Sequence, residues 1–285
     1  MPDILLTDRT VIAVEGEDAS GFLNALTTGS VAELPSGSSG FAALLTPQGK
    51  IVADFILFKM SEQKIYLDTA RQALPDLMKK LNLYKLRSKI SLSDCSGFLS
   101  VIAGDQDQSP EKKNCLIAVA DPRNSDLGWR GLISAQMLTA TENENLYHQK
   151  RLMLGIPEYG KDFAANDLFP HEALMDMLGG IDFNKGCYIG QEIVSRMQHR
   201  GTVRSRLVPV RYDDGQEWET AIPVMAGEKT IGLTGSGLKG YGIALLRLDF
   251  LGNAVQNGYK LKAGNLELAP YHLSWMNFEI PHSLR

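Results

Sequence analysis

A mixed α+β fold that closes on a small all-β domain is predicted by three observations. Short apolar strand runs alternate with amphipathic helical segments over the first two hundred residues. The first strand is not followed by a GxGxxG turn and no P-loop occurs, so doubly wound nucleotide-binding folds are not indicated. From Arg204 onward the texture changes to short strands separated by glycines, the pattern of a terminal β-barrel or sandwich. At 285 residues and 44% hydrophobic content, the chain can bury a large core and divide it among more than one domain.

Val11-Ile12-Ala13-Val14 reads as a strand, and Asp18 or Ser20 then opens a short helix through Leu26. Ser36 to Gly40 is a turn-rich break. Phe41 to Leu45 and Ile51 to Phe58 read as strands joined by Pro47-Gln48-Gly49, and Ile65 to Asp68 as a third. Leu74, Leu77, Met78 and Leu81 recur at helical spacing, so that stripe packs as core. Strands follow around Ile90 and at Leu99 to Ala103. After a polar loop over Asp105 to Asn114 come strands at Leu116 to Ala120 and Gly131 to Ile133, then a helix over Asn145 to Leu154. Pro170 suits the first position of a helix running to Leu178, with Gly179-Gly180 as its stop. A further helix spans Gly190 to Arg200, with Ile193 and Met197 on one face, a Glu192–Arg196 pair on another, and Gly201 at its end. Strands are expected at Leu207 to Tyr212, Lys229 to Leu233, Gly242 to Leu248, Tyr259 to Leu261 and Leu266 to Leu268.

Chemistry is concentrated in Lys185-Gly186-Cys187-Tyr188-Ile189-Gly190-Gln191-Glu192, where a thiol lies between two glycines ahead of a helix. The positive helix end and the charge of Lys185 favour a thiolate there, whereas the plain alternative is a small buried hydrophobe. Lys185, Arg196, Arg200, Arg204, Arg206 and Arg211 form a basic segment in a chain of net charge −4, read as an anion-binding surface or as a solvated face. The overall charge gives no argument for nucleic acid or an anionic membrane. Cys95, Cys115 and Cys187 are far apart, with no CxxC pair and no Cys/His spacing of a zinc site, so any metal cluster needs ligands from outside the chain. His148, His272 and His282 show no metal spacing; His171, at a helix start or facing a channel, and His199, at a helix end where the dipole favours a cation, are read as structural. The first twenty residues carry five acids and lack the pattern of a secretory or transit peptide, and no apolar run reaches membrane-spanning length. A soluble, cytoplasmic protein is the expectation.

The run from Asn184 to Glu192, followed by Arg196, His199, Gly201, Arg204 and Arg206-Leu207, resembles the signature of the YgfZ family. These are folate-binding relatives of the glycine cleavage T protein, and the mitochondrial iron-sulfur assembly factors among them are especially similar. Pro47-Gln48-Gly49-Lys50-Ile51, Leu86-Arg87-Ser88-Lys89-Ile90, Gly128-Trp129-Arg130-Gly131, Arg151-Leu152 with Gly155-Ile156-Pro157, and Leu168-Phe169-Pro170 with Glu172-Ala173 extend the resemblance over nearly the whole chain.

The resemblance implies a three-module cloverleaf around a central channel. Residues 1–202 would form two partly discontinuous α/β modules, the second over about 41–145, and residues 203–285 a C-terminal β-barrel. It implies tetrahydrofolate or a derivative in the channel, and a role as a folate-binding accessory factor in the assembly or repair of 4Fe-4S proteins that turns on Cys187. Cys187 would be one ligand of a transient iron-sulfur cluster shared with a scaffold or carrier protein. Lys185 would support the thiolate or face the folate. Asp54, Arg87, Arg130, Tyr188, Gln191 and Glu192 are the expected cofactor-binding residues, with Tyr188 and Gln191 shaping the turn, and with ion pairing as the alternative role of the two arginines.

The alternative is a tetrahydrofolate-dependent aminomethyl or one-carbon transferase. Three departures from the T protein weigh against it. Ala53 leaves Asp54 without the adjacent aspartate, Met153 stands where a glutamate holds the pterin, and Cys187 replaces an aromatic residue. An assembly factor is expected rather than a catalyst.

Overall fold

The computed structural model describes residues 4–106, 114–137, 143–201 and 203–280. The first strands are β1 (Ile4–Leu5) and β2 (Arg9–Glu15), followed by helix α1 (Ala19–Leu26). Strands β3 (Ser38–Leu45), β4 (Ile51–Ser61) and β5 (Lys64–Ala70) come next, then helix α2 (Leu74–Lys85) and strand β6 (Ser91–Asp94). The first sheet is antiparallel in the order β3-β4-β5-β2-β6. Every residue of β4 from Ile51 to Lys59 is buried, so the strand reads as a continuous apolar run without alternation. The hairpin joining β3 to β4 is closed by Thr46 N–H donating to Lys50 O (2.8 Å) and Gly49 N–H to Thr46 O (2.8 Å).

Strands β7 (Leu99–Gly104), β8 (Cys115–Ala120) and β9 (Trp129–Ser134) build the second sheet, in the order β1-β7-β9-β8. The chain thus lays its first strand in the second sheet before starting the first. The expected division near residue 41 differs from this: strands β3 to β5 hydrogen-bond with β2, and the sheets part after β6. Most of the polar loop expected over Asp105 to Asn114 lies outside the described residues.

Helix α3 (Asn145–Met153) is followed by irregular chain up to α4 (Gln191–Arg200). The helix expected from Pro170 to Leu178 is a succession of turns. Leu174 adopts φ 62°, a left-handed conformation that interrupts the helical ladder. The carbonyls of His171 and Glu172 are turned outward to accept from Arg206 Nη1 (2.8 Å) and Leu207 N–H (2.8 Å), which ties the segment to the next domain. On α4 the fully buried residue is Val194, with Ile193 and Met197 half-buried beside it.

Strands β10 (Ser205–Arg211), β11 (Pro223–Ala226), β12 (Lys229–Leu238) and β13 (Tyr241–Arg247), helix α5 (Leu248–Gln256), and strands β14 (Leu261–Ala263) and β15 (Leu266–Pro270) complete the fold. The six strands form a closed barrel in the order β10-β13-β12-β11-β14-β15, sealed where Val210 and Arg211 meet Pro270 and Ala269. Closure leaves the sheet no free edge. The barrel packs back onto the rest of the chain through Trp275, whose Nε1 donates to Leu154 O (3.1 Å), and Tyr271, whose hydroxyl donates to Leu152 O (3.0 Å).

Candidate functional site

The cysteine turn is held from several sides. Thr27 to Gly29 form a platform against β3: Thr28 N–H donates to Ala43 O (3.0 Å), and Thr28 Oγ1 accepts from Ala43 N–H (2.9 Å) while donating to Gly180 O (2.6 Å). Asp182 N–H donates to Thr28 O (2.9 Å). Lys185 Nζ then donates to the carbonyls of Thr27 (2.8 Å) and Gly29 (2.6 Å). Burial lowers this ammonium to about 8, with Asp182 opposing, so it is charged at neutral pH and spends that charge on the platform. Lys185 is therefore an anchor of the turn.

Tyr188 is buried, and burial raises its hydroxyl to about 12. With Tyr188 pointing inward, Cys187 is left exposed, which removes the buried-hydrophobe reading of this thiol. Cys95 is buried, and desolvation raises its thiol; Cys115 is half-buried on β8 in the other sheet. Gln191 is half-buried at the start of α4, while Glu192 faces solvent and pairs with Arg196 at 2.6 Å. The rest of the basic segment disperses. Arg206 is committed to Asp176 (3.0 and 2.9 Å), Arg211 lies over the rings of Tyr241 and Tyr271, and Arg200 and Arg204 are exposed.

The second concentration of chemistry is a buried ion-pair junction that sequence reasoning largely missed. Asp68 on β5 accepts from Arg9 Nε through Oδ1 (2.7 Å) and from Arg130 Nε through Oδ2 (2.5 Å), and its carbonyl accepts from Arg9 Nη2 (2.9 Å). Tyr147 hydroxyl accepts from Arg130 Nη1 (2.8 Å) and Arg123 Nη2 (2.6 Å), and Arg123 also forks onto Asp121 at 2.9 and 2.7 Å. On α3, Arg151 reaches Glu158 (3.2 Å), Asp162 (2.9 Å) and Ser236 of the barrel (2.7 Å). Both sheets, α3 and the barrel are thereby stitched together by charges that water does not reach. The neighbouring arginines hold Asp121 and Glu158 below the usual carboxylate range, although burial opposes them.

Of the expected cofactor residues, only Arg130 and Asp54 belong to this region. Arg130 is fully buried and pairs with Asp68, while its Nη2 is buried without a hydrogen-bond partner. Arg87 is exposed beyond the end of α2, and its side chain makes no hydrogen bond or ion pair among the described residues. Tyr188, Gln191 and Glu192 stay with the cysteine turn. Met153 is exposed at the end of α3, with its carbonyl accepting from Tyr271.

Asp54 lies in the middle of β4, opposite Ala43, and is 5% exposed rather than on an open strand face. Its carbonyl accepts from Thr69 Oγ1 (2.8 Å), but its carboxylate has no hydrogen-bond partner among the described residues. Desolvation raises this carboxyl to about 6, with Arg9 and Arg123 opposing. A carboxyl raised in the folded state costs stability as pH climbs from the unfolded value, about 4, through the folded one. Asp54→Asn is accordingly expected to raise the melting temperature at pH 7.5 by a few degrees and to flatten stability between pH 4 and 6, by at most ~3 kcal/mol. Thermal melts across that range decide it, and an unchanged pH profile would refute the burial argument. Beside the junction, and sharing Asp162 with it, a cleft of about 530 Å³ runs between the Gly160 to Leu168 segment and the barrel residues Thr220, Thr234, Gly235 and Leu245. A neighbouring groove of about 420 Å³ shares Gln72, Gly160 and Lys161 with it and reaches Asp8.

These features define a class. Residues 7–104 match the GCVT N-terminal domain, and residues 204–278 match the C-terminal β-barrel domain of CAF17. The glycine cleavage system aminomethyltransferase T of Bartonella henselae superposes with a TM-score of 0.75 over 96% of this chain and 86% of that one, at 16% identity, which shows the fold alone. Among curated proteins, human iron-sulfur cluster assembly factor IBA57, mitochondrial, is 30% identical over 85% of this chain and 76% of its own length. The mouse protein is 29% identical over 86% and 77%. The Neurospora crassa homologue is 34% identical over 74% of this chain, which spans 54% of that protein's length. The chain belongs to the family of IBA57 iron-sulfur cluster assembly factors. The expected cytoplasmic location is corrected by the same finding, because these relatives are mitochondrial proteins.

Proposed function

We propose that this protein is a folate-binding accessory factor in the assembly or repair of 4Fe-4S proteins, and that Cys187 supplies one thiolate ligand to a cluster shared with a scaffold or carrier protein. The observation that carries this reading is the exposure of Cys187 on a turn fixed by Lys185, Tyr188 and the Thr27 to Gly29 platform. A cluster commonly takes four ligands, and neither the buried Cys95 nor Cys115 in the other sheet accompanies Cys187, so the partner must provide the rest. Anchoring the turn lowers the entropy lost when thiol and partner are brought together.

For the folate, Asp54 is the residue that fits: a nearly buried carboxylate without a partner can accept the N–H groups of a pterin ring. Bound tetrahydrofolate supplies a one-carbon carrier nitrogen, and Asp54 would hold or move a proton beside it. Arg130 gives Nε to Asp68 and Nη1 to Tyr147, and Arg87 lies on an exposed loop, so neither is assigned to this site. The transferase alternative draws support from one observation, the Asp54 carboxyl raised to about 6, where an acid can both give and take a proton near neutral pH. Turnover of an amine or methyl donor with tetrahydrofolate, lost in Asp54→Asn, would favour it.

Two measurements on wild type and Cys187→Ser test the leading reading. In cells lacking the wild-type protein, Cys187→Ser is expected to leave 4Fe-4S enzyme activities at the level of the deletion; restoration to wild-type levels would sink the role of the thiol. Calorimetric titration with tetrahydrofolate is expected to show saturable binding that survives Cys187→Ser and weakens at least tenfold in Asp54→Asn. Absence of binding to all three proteins would remove the folate and leave a cysteine-centred partner-binding factor.

A further inference from the structure

We propose that Asp8, Glu144 and His148 form a binding site for a first-row divalent metal ion, with Glu158 as the outer carboxylate that orients the imidazole. The three side chains come from the turn before β2, the residue that precedes α3, and the first turns of α3, and each offers a ligand atom within 4.8 Å of the others. Glu144 is oriented by Thr7, whose N–H (3.0 Å) and Oγ1 (2.8 Å) both donate to Oε2, so Oε1 remains for a ligand.

The observation that points to a cation is a row of buried polar atoms without hydrogen bonds. His148 is 7% exposed and its Nε2 has no partner: Asp8 Oδ2, at 3.8 Å, is beyond hydrogen-bond reach. Asp8 Oδ1 is likewise buried without a hydrogen bond, and Glu158 Oε2 makes none either, although Arg151 Nε pairs with it at 3.2 Å. Such atoms are expensive to leave unmade. One ion resolves two of them directly and the third through the ring. Arg151 Nε lies 3.3 Å from His148 Nδ1 and donates to it, which puts the ring proton on Nε2, where nothing accepts it. Moving the proton to Nδ1 turns it toward Glu158 Oε2, at 3.6 Å, and frees the Nε2 lone pair; Arg151 Nε, which then no longer donates to Nδ1, turns to the same Glu158 oxygen, 3.2 Å away. A carboxylate behind a ligating imidazole is the usual outer arrangement of metal-bound histidine.

Lys161 Nζ occupies the neighbourhood now, 2.8 Å from Asp8 Oδ2. It is only partly buried and borders the 420 Å³ groove that opens onto Asp8, so it can swing aside along the route by which an ion would enter. One imidazole with two carboxylates suits Mn²⁺, Fe²⁺ or Zn²⁺ better than Mg²⁺ or Ca²⁺, which prefer all-oxygen shells. Cys187 takes no part, so the proposal stands apart from the cluster reading.

The test is a titration of chelator-stripped, tag-free full-length chain with Mn²⁺, followed by its EPR signal, and with Zn²⁺ against a chromophoric chelator. One equivalent is expected to bind wild type and Cys187→Ser alike. Asp8→Asn and Glu144→Gln should each weaken binding at least tenfold, and Lys161→Ala should tighten it several-fold by removing the competing ammonium. Asp8 and Lys161 are partly exposed, and their variants are expected to keep the wild-type circular dichroism spectrum even if His148→Gln does not fold. Absence of saturable binding, affinity unchanged by Asp8→Asn, or loss of the ion in Cys187→Ser would each overturn the assignment.

Discussion

Replacing Asp68 by alanine is expected to lower the stability of the whole protein by about 3–5 kcal/mol, because it leaves two buried guanidinium groups without their shared counter-charge. Arg9 is 4% exposed and Arg130 fully buried, and Asp68 receives three hydrogen bonds from them. Glu158, 3.4 Å from Arg9, and Asp121, 3.8 Å from Arg130, are too distant to replace it fully. The loss is global because the pair joins β2 and β5 of the first sheet to β9 of the second. Urea denaturation of wild type and variant measures it, and a difference under 1 kcal/mol would show that the remaining acids re-pair with the arginines. The junction also fixes the acid limb of stability. The carboxyls of Asp121 and Glu158 are lowered in the folded state, so their contribution is fully present above the unfolded values near pH 4 and is lost as pH falls through the folded ones.

This junction was the least legible part of the sequence, and the reason is physical. Its ten members are spread from Arg9 to Ser236, and nothing in local spacing says that they meet. A signal did exist: Asp54 and Asp68 interrupt strand runs that are otherwise buried, and a carboxylate in such a run must find a cation or act on a ligand. The strands themselves were legible because Val11 to Val14 and Ile51 to Phe58 are apolar and bounded by turn residues. Pro170 misled because helix propensity is a weak preference; Leu174 and the outward carbonyls of His171 and Glu172 answer to Arg206 and Leu207. Helix α5 was hidden in the apolar run that continues out of β13, and β11 behind its leading proline. The cysteine turn was legible because its chemistry is contiguous. Its anchoring on Thr27 and Gly29 is a contact between residues more than 150 positions apart, and no spacing rule reaches that far.

Gly190→Ala is expected to abolish the function of the cysteine turn while Gly186→Ala leaves it near wild type. Gly190 sits at the head of α4 with φ 80° and ψ 0°, a left-handed conformation that costs an alanine about 1–2 kcal/mol. A Cβ there would also lie 2.6 Å from Thr46 O and 3.0 Å from Gly49 Cα. Gly49 has the same need, since a Cβ on it would meet Ile193 Cβ at 2.9 Å. The two glycines let the β3–β4 turn and the first turn of α4 touch through backbone, and this contact sets the position of Cys187 three residues before. Relieving the overlap costs on the order of 1–3 kcal/mol more, and the direction open to the chain is away from β3. The strain is met by displacing the turn, because α4 is held chiefly by Val194 and carries little of the core. Melting temperature should therefore fall by only a few degrees while 4Fe-4S enzyme activities in cells fall to the Cys187→Ser level. Gly186 has open space around its Cβ position and no left-handed φ, so its alanine variant changes the same octapeptide without moving it. If both variants retain activity, thiol placement is not what the glycines secure; if both lose it, the octapeptide is read by a partner as a surface.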